Sequence, residues 1–324
     1  MIPFAFAVIK PFSRQTLYVL LYFFIMVIFA ASAISFLYYL SDYQQINYSY
    51  KQAKVLPTPL DHIRFSLMIA FSVFTGIHLY LENFFLRYKW ERTPLLLVVI
   101  FLFFFIHVLA VRSGLVVLYS VLSFYILRLL FLRGKRRAGI VSLVFLILSP
   151  VIAWFLFPTF QNKIKYMKYD MEMFYHRGEG NNLSDGGRII SIINGIEIGK
   201  NHVLGGVGAG DVMDEMNVLY LENYPAINPK NYLIPHNEYI FVFASTGVTG
   251  LTILLLSMVV PLIHRKRYKK NILLTGFTIL VGISFLSEAT IEGQIGTAFY
   301  ITFLMLLINK DESANTNAWN YQLS

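Results

Sequence analysis

The chain is far more apolar than a soluble globular protein. Of its 324 residues, 56% are hydrophobic and only 14% are charged, whereas soluble domains carry about 25% charged residues. It has 27 Lys and Arg, 18 Asp and Glu, a net charge of +9 and no cysteine. Disulfide scaffolds, zinc–thiolate sites and iron–sulfur clusters are therefore excluded.

Eight apolar runs approach or exceed the length of about 20 residues that a helix needs to cross a bilayer. They lie at 17–40, 62–86, 94–111, 114–132, 139–157, 238–263, 271–287 and 294–309. The sequence predicts an all-α fold, a polytopic transmembrane bundle of about eight spans. It divides into N-terminal transmembrane helices at 1–157, a large outer loop at 158–237, C-terminal transmembrane helices at 238–310 and a cytoplasmic tail at 311–324.

Basic residues gather in the connections on one side of these spans. They are Lys10, Arg14, Arg87, Lys89, Arg92, Arg133, Lys135, Arg136, Arg137, Arg265, Lys266, Arg267, Lys269, Lys270 and Lys310. The positive-inside rule makes this side cytoplasmic, so both termini are predicted in the cytoplasm and the loop 158–237 outside it. Since each basic run flanks a span, the net charge is interpreted as topogenic, and no nucleic acid partner is expected.

The first run has an alternative interpretation as a cleaved signal peptide that ends at Ala31-Ser32-Ala33. The run continues to Leu40, which is longer than the apolar part of an ordinary signal peptide. A retained span is therefore favoured. Either interpretation leaves the orientation of the other seven spans unchanged.

The outer loop at 158–237 is the one long polar stretch of the chain. It holds nine of the eighteen acidic residues and alternates Gly/Asn-rich breaks with a helical pattern at 187–199. Loops of this length in a compact protein are usually functional or disordered. We interpret this one as a folded insertion outside the membrane.

The sharpest local pattern stands where this loop meets the sixth span. Pro235 ends the loop, and Asn237 is a natural N-cap for the helix that follows. His236 then lies at the positive end of the helix dipole, which favours a neutral imidazole and suits a phosphate. A neutral His beside an anion is a candidate general base, and the alternative is a His that merely caps the span. The small residues that follow predict close helix packing: Ala244, Ser245, Gly247 and Gly250.

Two arginines on the outer side are candidate phosphate ligands. Arg188 follows Gly186-Gly187 at the start of the helical pattern, and its guanidinium offers a bidentate fork. A salt bridge to a loop carboxylate is the alternative. Arg112 lies in the short hairpin between the third and fourth spans. An Arg at membrane depth is a functional candidate, and snorkelling to the interface is the competing interpretation.

Other polar residues have open or structural interpretations. Glu288 and Glu292 flank the last outer turn, where they could bind a sugar, a cation or a nearby Arg. His78 and His107 lie deep in their spans and are interpreted as hydrogen-bonded packing residues. The glycine-rich run at 205–210 has no strand–helix–strand unit around it, so a dinucleotide site is rejected. A tight turn that approaches a ligand or a helix is predicted there.

No metal site and no cofactor are predicted. The early outer loop offers only Asp42 and Asp61 as acidic residues. Histidines at 176, 202 and 236 are too scattered to indicate zinc. Without an acidic pair beside His236, metal-ion catalysis is disfavoured.

Three motifs follow one another along the outer loop and the sixth span. They are Gly187-Arg188-Ile189-Ile190, then Leu-Gly-Gly-Val-Gly-Ala-Gly at 204–210, then His236-Asn237-Glu238-Tyr239 leading into Ser-Thr-Gly-Val-Thr-Gly-Leu at 245–251. Upstream stands Val111-Arg112-Ser113-Gly114. In order, spacing and location, the three motifs resemble the O-antigen ligase and O-antigen polymerase family of bacterial envelope enzymes. The upstream segment is similar to a Ser-Arg hairpin of that family.

The resemblance implies a metal-independent transfer of a glycan from an undecaprenyl-diphosphate-linked donor to a lipid A core acceptor. The reaction would take place at the periplasmic face of the bacterial inner membrane. Arg112 and Arg188 would hold the diphosphate, and His236 would activate or orient the acceptor hydroxyl. Asn237, Glu288 and Glu292 are candidate contacts to the acceptor or its sugars. The expected partners are the lipid-linked glycan, the saccharide acceptor and the bilayer.

Two alternatives stay open: an O-antigen or capsule repeat-unit polymerase of the same family, and a transporter without covalent chemistry. The transporter is less favoured because the candidate charges cluster at the outer rim rather than at a midplane site.

The chain has five predicted spans before the large loop, where family members usually have more. It also has Asn201-His202-Val203 where a proline is often found. We expect either a short member or a piece that lacks early helices.

Overall fold

A computed structural model of the protein describes residues 2–132, 134–177, 184–263 and 271–309, and all regular structure in these ranges is helical. Thirteen helices of seven residues or more follow in chain order: α1 Ile2–Val8, α2 Arg14–Ser41, α3 Tyr43–Ser49, α4 His62–Leu81, α5 Arg92–Leu109, α6 Arg112–Phe131, α7 Arg136–Leu156, α8 Pro158–Arg177, α9 Ser184–Asn201, α10 Val212–Asn223, α11 Glu238–Ile263, α12 Ile272–Ser287 and α13 Gln294–Ile308. The predicted all-α fold is confirmed for this part of the chain. The predicted tail at 311–324, Arg133, Lys310 and the basic residues at 265–270 lie outside the described residues.

Helices occupy all eight predicted spans. Six of them, α2, α4, α5, α6, α7 and α11, are long and apolar enough to cross a membrane. The other two, α12 and α13, have 16 and 15 residues. Their lengths give only about 24 and 22 Å of helix, against a hydrocarbon core of about 30 Å. α4 stops at Leu81, before the predicted residue 86, because Asn83 adopts a left-handed φ of 55°.

α4 lies at the centre of the bundle, where it contacts α2, α5, α6 and α12. Phe65, Phe71 and Phe74 on this helix are fully buried. Small residues bring α6 close to it, since a Cβ added at Gly114 would overlap the side chain of Ser66. This close approach sets the first turns of α4 and α6 side by side.

α7 presents an apolar face to the surroundings of the protein. Val141, Ile147 and Phe155 are 70%, 63% and 75% exposed. Water does not favour such a continuous face, whereas the hydrocarbon core of a bilayer does. The burial pattern therefore agrees with a helix that contacts lipid.

The predicted outer loop is a folded helical unit. It contains the helix predicted at 187–199, as α9, and two helices that the sequence pattern does not reveal, α8 and α10. Ile198, Met216, Tyr220 and Phe241 are buried together in a hydrophobic core that joins α9, α10 and the start of α11. This core is separate from the main core around α4.

α11 is broken at Gly247, which has φ 65° and ψ −164°. The hydroxyl of Tyr239 lies 4.0 Å from Sδ of Met258 and 3.0 Å from the carbonyl oxygen of Gly282. A straight helix would separate residues 239 and 258 by about 28 Å. The segment 248–263 therefore folds back beside 238–246, so the apolar run predicted at 238–263 forms two helical segments joined at Gly247 rather than one straight helix.

The break is held by the turn that precedes α10. Val207 N and Gly208 N donate to the carbonyl oxygens of Ala244 and Ser245, at 3.0 and 2.8 Å, and Val248 N donates to Val203 O at 2.7 Å. These bonds satisfy backbone groups that a broken helix leaves without intrahelical partners. The turn predicted at 205–210 thus approaches a helix, and the small residues at 244–247 pack against the backbone of this turn.

Candidate functional site

The first turns of α4, α6 and α9 and one face of α8 surround a cavity of about 220 Å³. Its polar lining consists of His62, Arg112, Ser113, Lys163, Ser184 and Arg188. Three of these side chains are Arg or Lys, so the cavity carries a concentration of positive charge. A cleft of this kind attracts anions.

The beginning of α9 is fixed by a buried carboxylate from α8. Asp170 is fully buried and accepts hydrogen bonds from the backbone N–H groups of Ser184 at 2.8 Å, Asp185 at 3.1 Å and Gly186 at 3.3 Å. The first N–H groups of a helix have no intrahelical partner, and a carboxylate there is favourable to the helix dipole. Asp170 therefore sets the position from which Asp185 and Arg188 extend.

Arg112 makes a bidentate ion pair with Asp185. Nη1 of Arg112 lies 2.6 Å from Oδ2 of Asp185, and Nη2 pairs with Oδ1. The Asp185 side chain is 10% exposed and that of Arg112 is 31% exposed. Two parallel N–H···O bonds fix the plane of a guanidinium, so Arg112 is held in one orientation with part of its surface open.

Arg188 pairs with Glu288, the residue that follows α12. Nη2 of Arg188 lies 2.8 Å from Oε1 of Glu288, whose side chain is 5% exposed. The salt bridge considered for Arg188 exists, but its partner lies outside the loop. The loop carboxylate Asp185 forms an ion pair with Arg112 instead.

His236 lies directly before α11 and beside this second ion pair. Its backbone N–H donates to Oγ of Ser191 at 3.2 Å, and its ring Nδ1 lies 3.2 Å from the carbonyl oxygen of Ile234. A carbonyl oxygen only accepts, so Nδ1 carries the proton and Nε2 of the neutral ring is left as an acceptor. Burial lowers the pKa of His236; Glu288 opposes this shift and Arg188 adds to it.

Of the three residues predicted to form the site, Arg112 and Arg188 line one cavity, and Arg188 also acts on His236. Arg188 acts electrostatically on both His236 and Lys163, and Arg112 acts on Lys163. Burial first, and then Arg112 and Arg188, lower the pKa of Lys163 to about 8, against the opposing effect of Asp185. The structure thus brings Arg112, Lys163 and Arg188 to one cavity, whereas His236 is not among the residues that line it and is linked to this group through Arg188.

Asn237 is the N-cap of α11, as the sequence predicts. Its Oδ1 accepts a hydrogen bond from Ile240 N at 3.2 Å, and its Nδ2 donates to Leu286 O at 3.1 Å. The next residue, Glu238, is fully buried and accepts a hydrogen bond from Ile291 N at 2.9 Å. These bonds fasten the start of α11 to the turn between α12 and α13, and they place His236 against that turn.

Glu292 lies on the far side of the same turn. With Gln294 and Thr297 it lines a depression of about 360 Å³ at the start of α13. Burial raises the pKa of Glu292. The structure therefore sets Glu292 apart from Glu288, which faces Arg188.

Residues 95–255 match a protein-family model described as O-Antigen ligase. Over this segment, the chain belongs to the O-antigen ligase family. The match runs from α5 into the second segment of α11 and includes Arg112, Lys163, Arg188 and His236, whereas Glu288 lies beyond it. No curated protein matches the chain significantly. Together with the six long apolar helices, the family makes this a multi-pass bacterial membrane protein.

Three residues of this candidate site are missing from the sequence prediction: Lys163, Asp170 and Asp185. One signal could have indicated Lys163. Lys163, Lys165 and Lys168 follow the fifth span on the side where the positive-inside rule expects few basic residues. The roles of Asp170 and Asp185 depend on contacts across helices, which the local sequence does not reveal.

The two deep histidines are packing residues, as predicted. Nε2 of His78 lies 3.1 Å from Oη of Tyr18. His107 is bonded at both ring nitrogens, with Nδ1 2.7 Å from Phe103 O and Nε2 2.8 Å from Oη of Tyr119. Both rings are buried. Within the described ranges, no group of three or more His, Asp or Glu side chains is arranged to hold a metal ion.

Proposed function

We propose that this O-antigen ligase family member transfers a glycan from an undecaprenyl-diphosphate-linked donor to a lipid A core acceptor. The reaction takes place at the periplasmic face of the inner membrane and needs no metal ion. The observation that carries the proposal is the environment of His236: its Nδ1 contacts a carbonyl oxygen, which leaves Nε2 as an acceptor, and both members of the Arg188–Glu288 ion pair act on its pKa. This arrangement supports a site that combines a general base with a cation able to bind phosphate.

The transfer exchanges one glycosidic bond for another. The acceptor hydroxyl oxygen bonds to the anomeric carbon of the donor glycan, and the bond from that carbon to the diphosphate breaks. Nε2 of His236 accepts the hydroxyl proton, and the leaving undecaprenyl diphosphate keeps the electron pair. General-base assistance of this kind typically contributes about 10² to 10⁴ in rate.

Arg112 and Arg188 stabilise the negative charge that develops on the leaving diphosphate. Each guanidinium has five N–H donors, and its carboxylate partner occupies at most two of them. The remaining donors can bind phosphate oxygens while Asp185 and Glu288 hold the two groups in orientation. Charges that are fixed in advance need no reorganisation as the bond breaks.

The predicted sugar contacts divide into two kinds. Both amide atoms of Asn237 are engaged in the cap and in the bond to Leu286, so we assign Asn237 to the placement of His236. Glu288 and Glu292 have carboxylate oxygens that can accept hydrogen bonds from sugar hydroxyls. Glu292 is the more exposed of the two and is the better candidate for a contact to the acceptor.

Variants in a deletion strain test this function. His236→Ala should stop the transfer of polymer to lipid A core and leave long chains on the lipid carrier, with unchanged amounts of the protein in the membrane. Arg112→Ala and Arg188→Ala should weaken donor use. The matched controls are His202→Ala and Lys200→Ala, at exposed positions of the same helical unit.

The readouts are lipopolysaccharide ladders and extracted lipid-linked intermediates. Near-normal ladders with His236→Ala would remove His236 from the mechanism. Single repeats attached to core in the deletion strain would indicate the polymerase activity instead. Normal ladders and no accumulated intermediates in the deletion strain would contradict both forms of glycan transfer.

A further inference from the structure

Lys163 occupies a defined position at the cavity. It lies on α8, where the neighbouring Asn162 is buried and its Nδ2 donates to Asn47 O at 2.9 Å. Two turns later, Asp170 fastens the same helix to the start of α9. Lys163 is half-buried and lines the cavity together with Arg112 and Arg188.

Lys163 differs from the two arginines in having no carboxylate partner. Arg112 is paired with Asp185, and Arg188 is paired with Glu288. In the part of the chain that the structure describes, no carboxylate oxygen lies within 4.0 Å of the Lys163 ammonium. Its ammonium lies 5.9 Å from the centroid of the Tyr166 ring, so among the Arg and Lys side chains that line the cavity, Lys163 is the one without an ion-pair partner.

The surroundings of Lys163 disfavour its charged form. Burial and the two arginines lower the pKa of Lys163, and Asp185 and Asp170 compensate only in part. An anion would supply the negative partner that Lys163 lacks and could accept hydrogen bonds from the free N–H donors of the two paired arginines. A diphosphate fits this requirement, because a Lys ammonium binds phosphate as a compact point charge beside the planar forks of Arg.

We propose that Lys163 is a third phosphate-binding residue of the site, whose ammonium contacts the diphosphate of the lipid-linked donor together with Arg112 and Arg188. This inference rests on the proposed function and adds a residue to it. Lys165 on the same helix is exposed and does not line the cavity, so it provides a matched comparison.

The test uses the full chain purified in detergent, with inorganic pyrophosphate as the probe and calorimetry as the measurement. Lys163→Met should lower the affinity for pyrophosphate by about tenfold to a hundredfold, the range expected for the loss of one charge-assisted hydrogen bond. Lys163→Arg should retain most of the affinity. Lys165→Met should bind as the wild-type protein does.

The outcomes separate this inference from the proposed function. Equal affinity in Lys163→Met and the wild type, or no pyrophosphate binding by the wild type, overturns the role of Lys163. Reduced binding by Lys163→Met together with normal glycan transfer in cells overturns the assignment to the donor. If Lys163→Met lowers the affinity of the purified protein for pyrophosphate, but the deletion strain accumulates no lipid-linked glycan, the anion site is supported and the proposed function is contradicted. Lys163→Gln repeats each comparison if Lys163→Met fails to accumulate in membranes.

Discussion

The ion pairs of the site determine how its arginines can bind a substrate. A paired guanidinium keeps a fixed orientation but brings little net charge, because its carboxylate cancels it. Arg112 and Arg188 are both in this condition, so they supply directed N–H donors. In the proposed mechanism, Lys163 supplies the net charge and His236 supplies the acceptor for a proton.

The pH dependence of transfer should report the neutral form of His236. Burial and Arg188 lower the pKa of His236 more than Glu288 raises it, so its folded value lies below the ordinary 6.5. As the pH falls through this lowered pKa, the ring gains a proton and can no longer act as a base. Initial rates in membrane vesicles between pH 5 and 8 should therefore stay level from 8 to 7 and decline only below about 6.5.

Two observations check this interpretation. The rate should recover when vesicles from low pH return to pH 7.5, which separates titration from denaturation. A rate that already declines between pH 8 and pH 7 would contradict a His236 base with a lowered pKa.

Only some of these residues could be found from the sequence. Arg112, Arg188 and His236 stand in recognisable local motifs, with a hairpin, a glycine pair or an N-cap next to them. Asp185 could not be assigned to Arg112, because 73 positions separate the two residues and nothing near either one indicates the other. The family match supports the motifs, while the roles of the individual residues stay predictions.

At the scale of elements, the bend in α11 positions the site. The segment 238–246 packs beside α9, and together these elements bring His236 to the side of Arg188. A continuous apolar run gives no sign of such a bend. The bend depends on Gly247 and on hydrogen bonds from a turn about 40 residues earlier, so it could not be predicted from the run itself.

The glycines of the turn at 205–210 should differ sharply in their tolerance of a side chain. Gly206 has a φ of 66°, and a Cβ there would overlap the backbone of Ser245 and Thr246. The left-handed conformation alone costs a non-glycine residue roughly 1–2 kcal/mol. Gly206→Ala should therefore lower the thermal unfolding temperature of the purified chain and reduce transfer.

Gly205 provides the matched control for this prediction. A Cβ at Gly205 meets no atom within 4 Å, so Gly205→Ala should unfold at nearly the wild-type temperature. The measurement is a thermal unfolding curve in the same detergent for all three proteins. Equal unfolding temperatures for the two variants would show that the turn does not hold the break in α11.

At the scale of the whole molecule, the ends of the helices are sorted into two groups. Arg14 pairs with Glu82, and Phe12 N donates to Asn309 O at 2.9 Å, so the connections predicted to be cytoplasmic gather at one end of the bundle. The cavity lies at the first turns of α4 and α6, and therefore at the opposite end. Apolar runs and basic flanks were sufficient to predict this arrangement because both are local properties of the sequence.

The absence of cysteine from the natural chain allows a direct test of this sidedness. Lys200→Cys places a thiol on the exposed surface of α9, and Lys135→Cys places one beside α7 at the other end. If the site faces the periplasm, a membrane-impermeant maleimide should label Lys200→Cys in intact spheroplasts. Lys135→Cys should react only after the membrane is permeabilised. The wild-type chain, which cannot react, is the control, and labelling of Lys135→Cys in intact spheroplasts would reverse the proposed orientation.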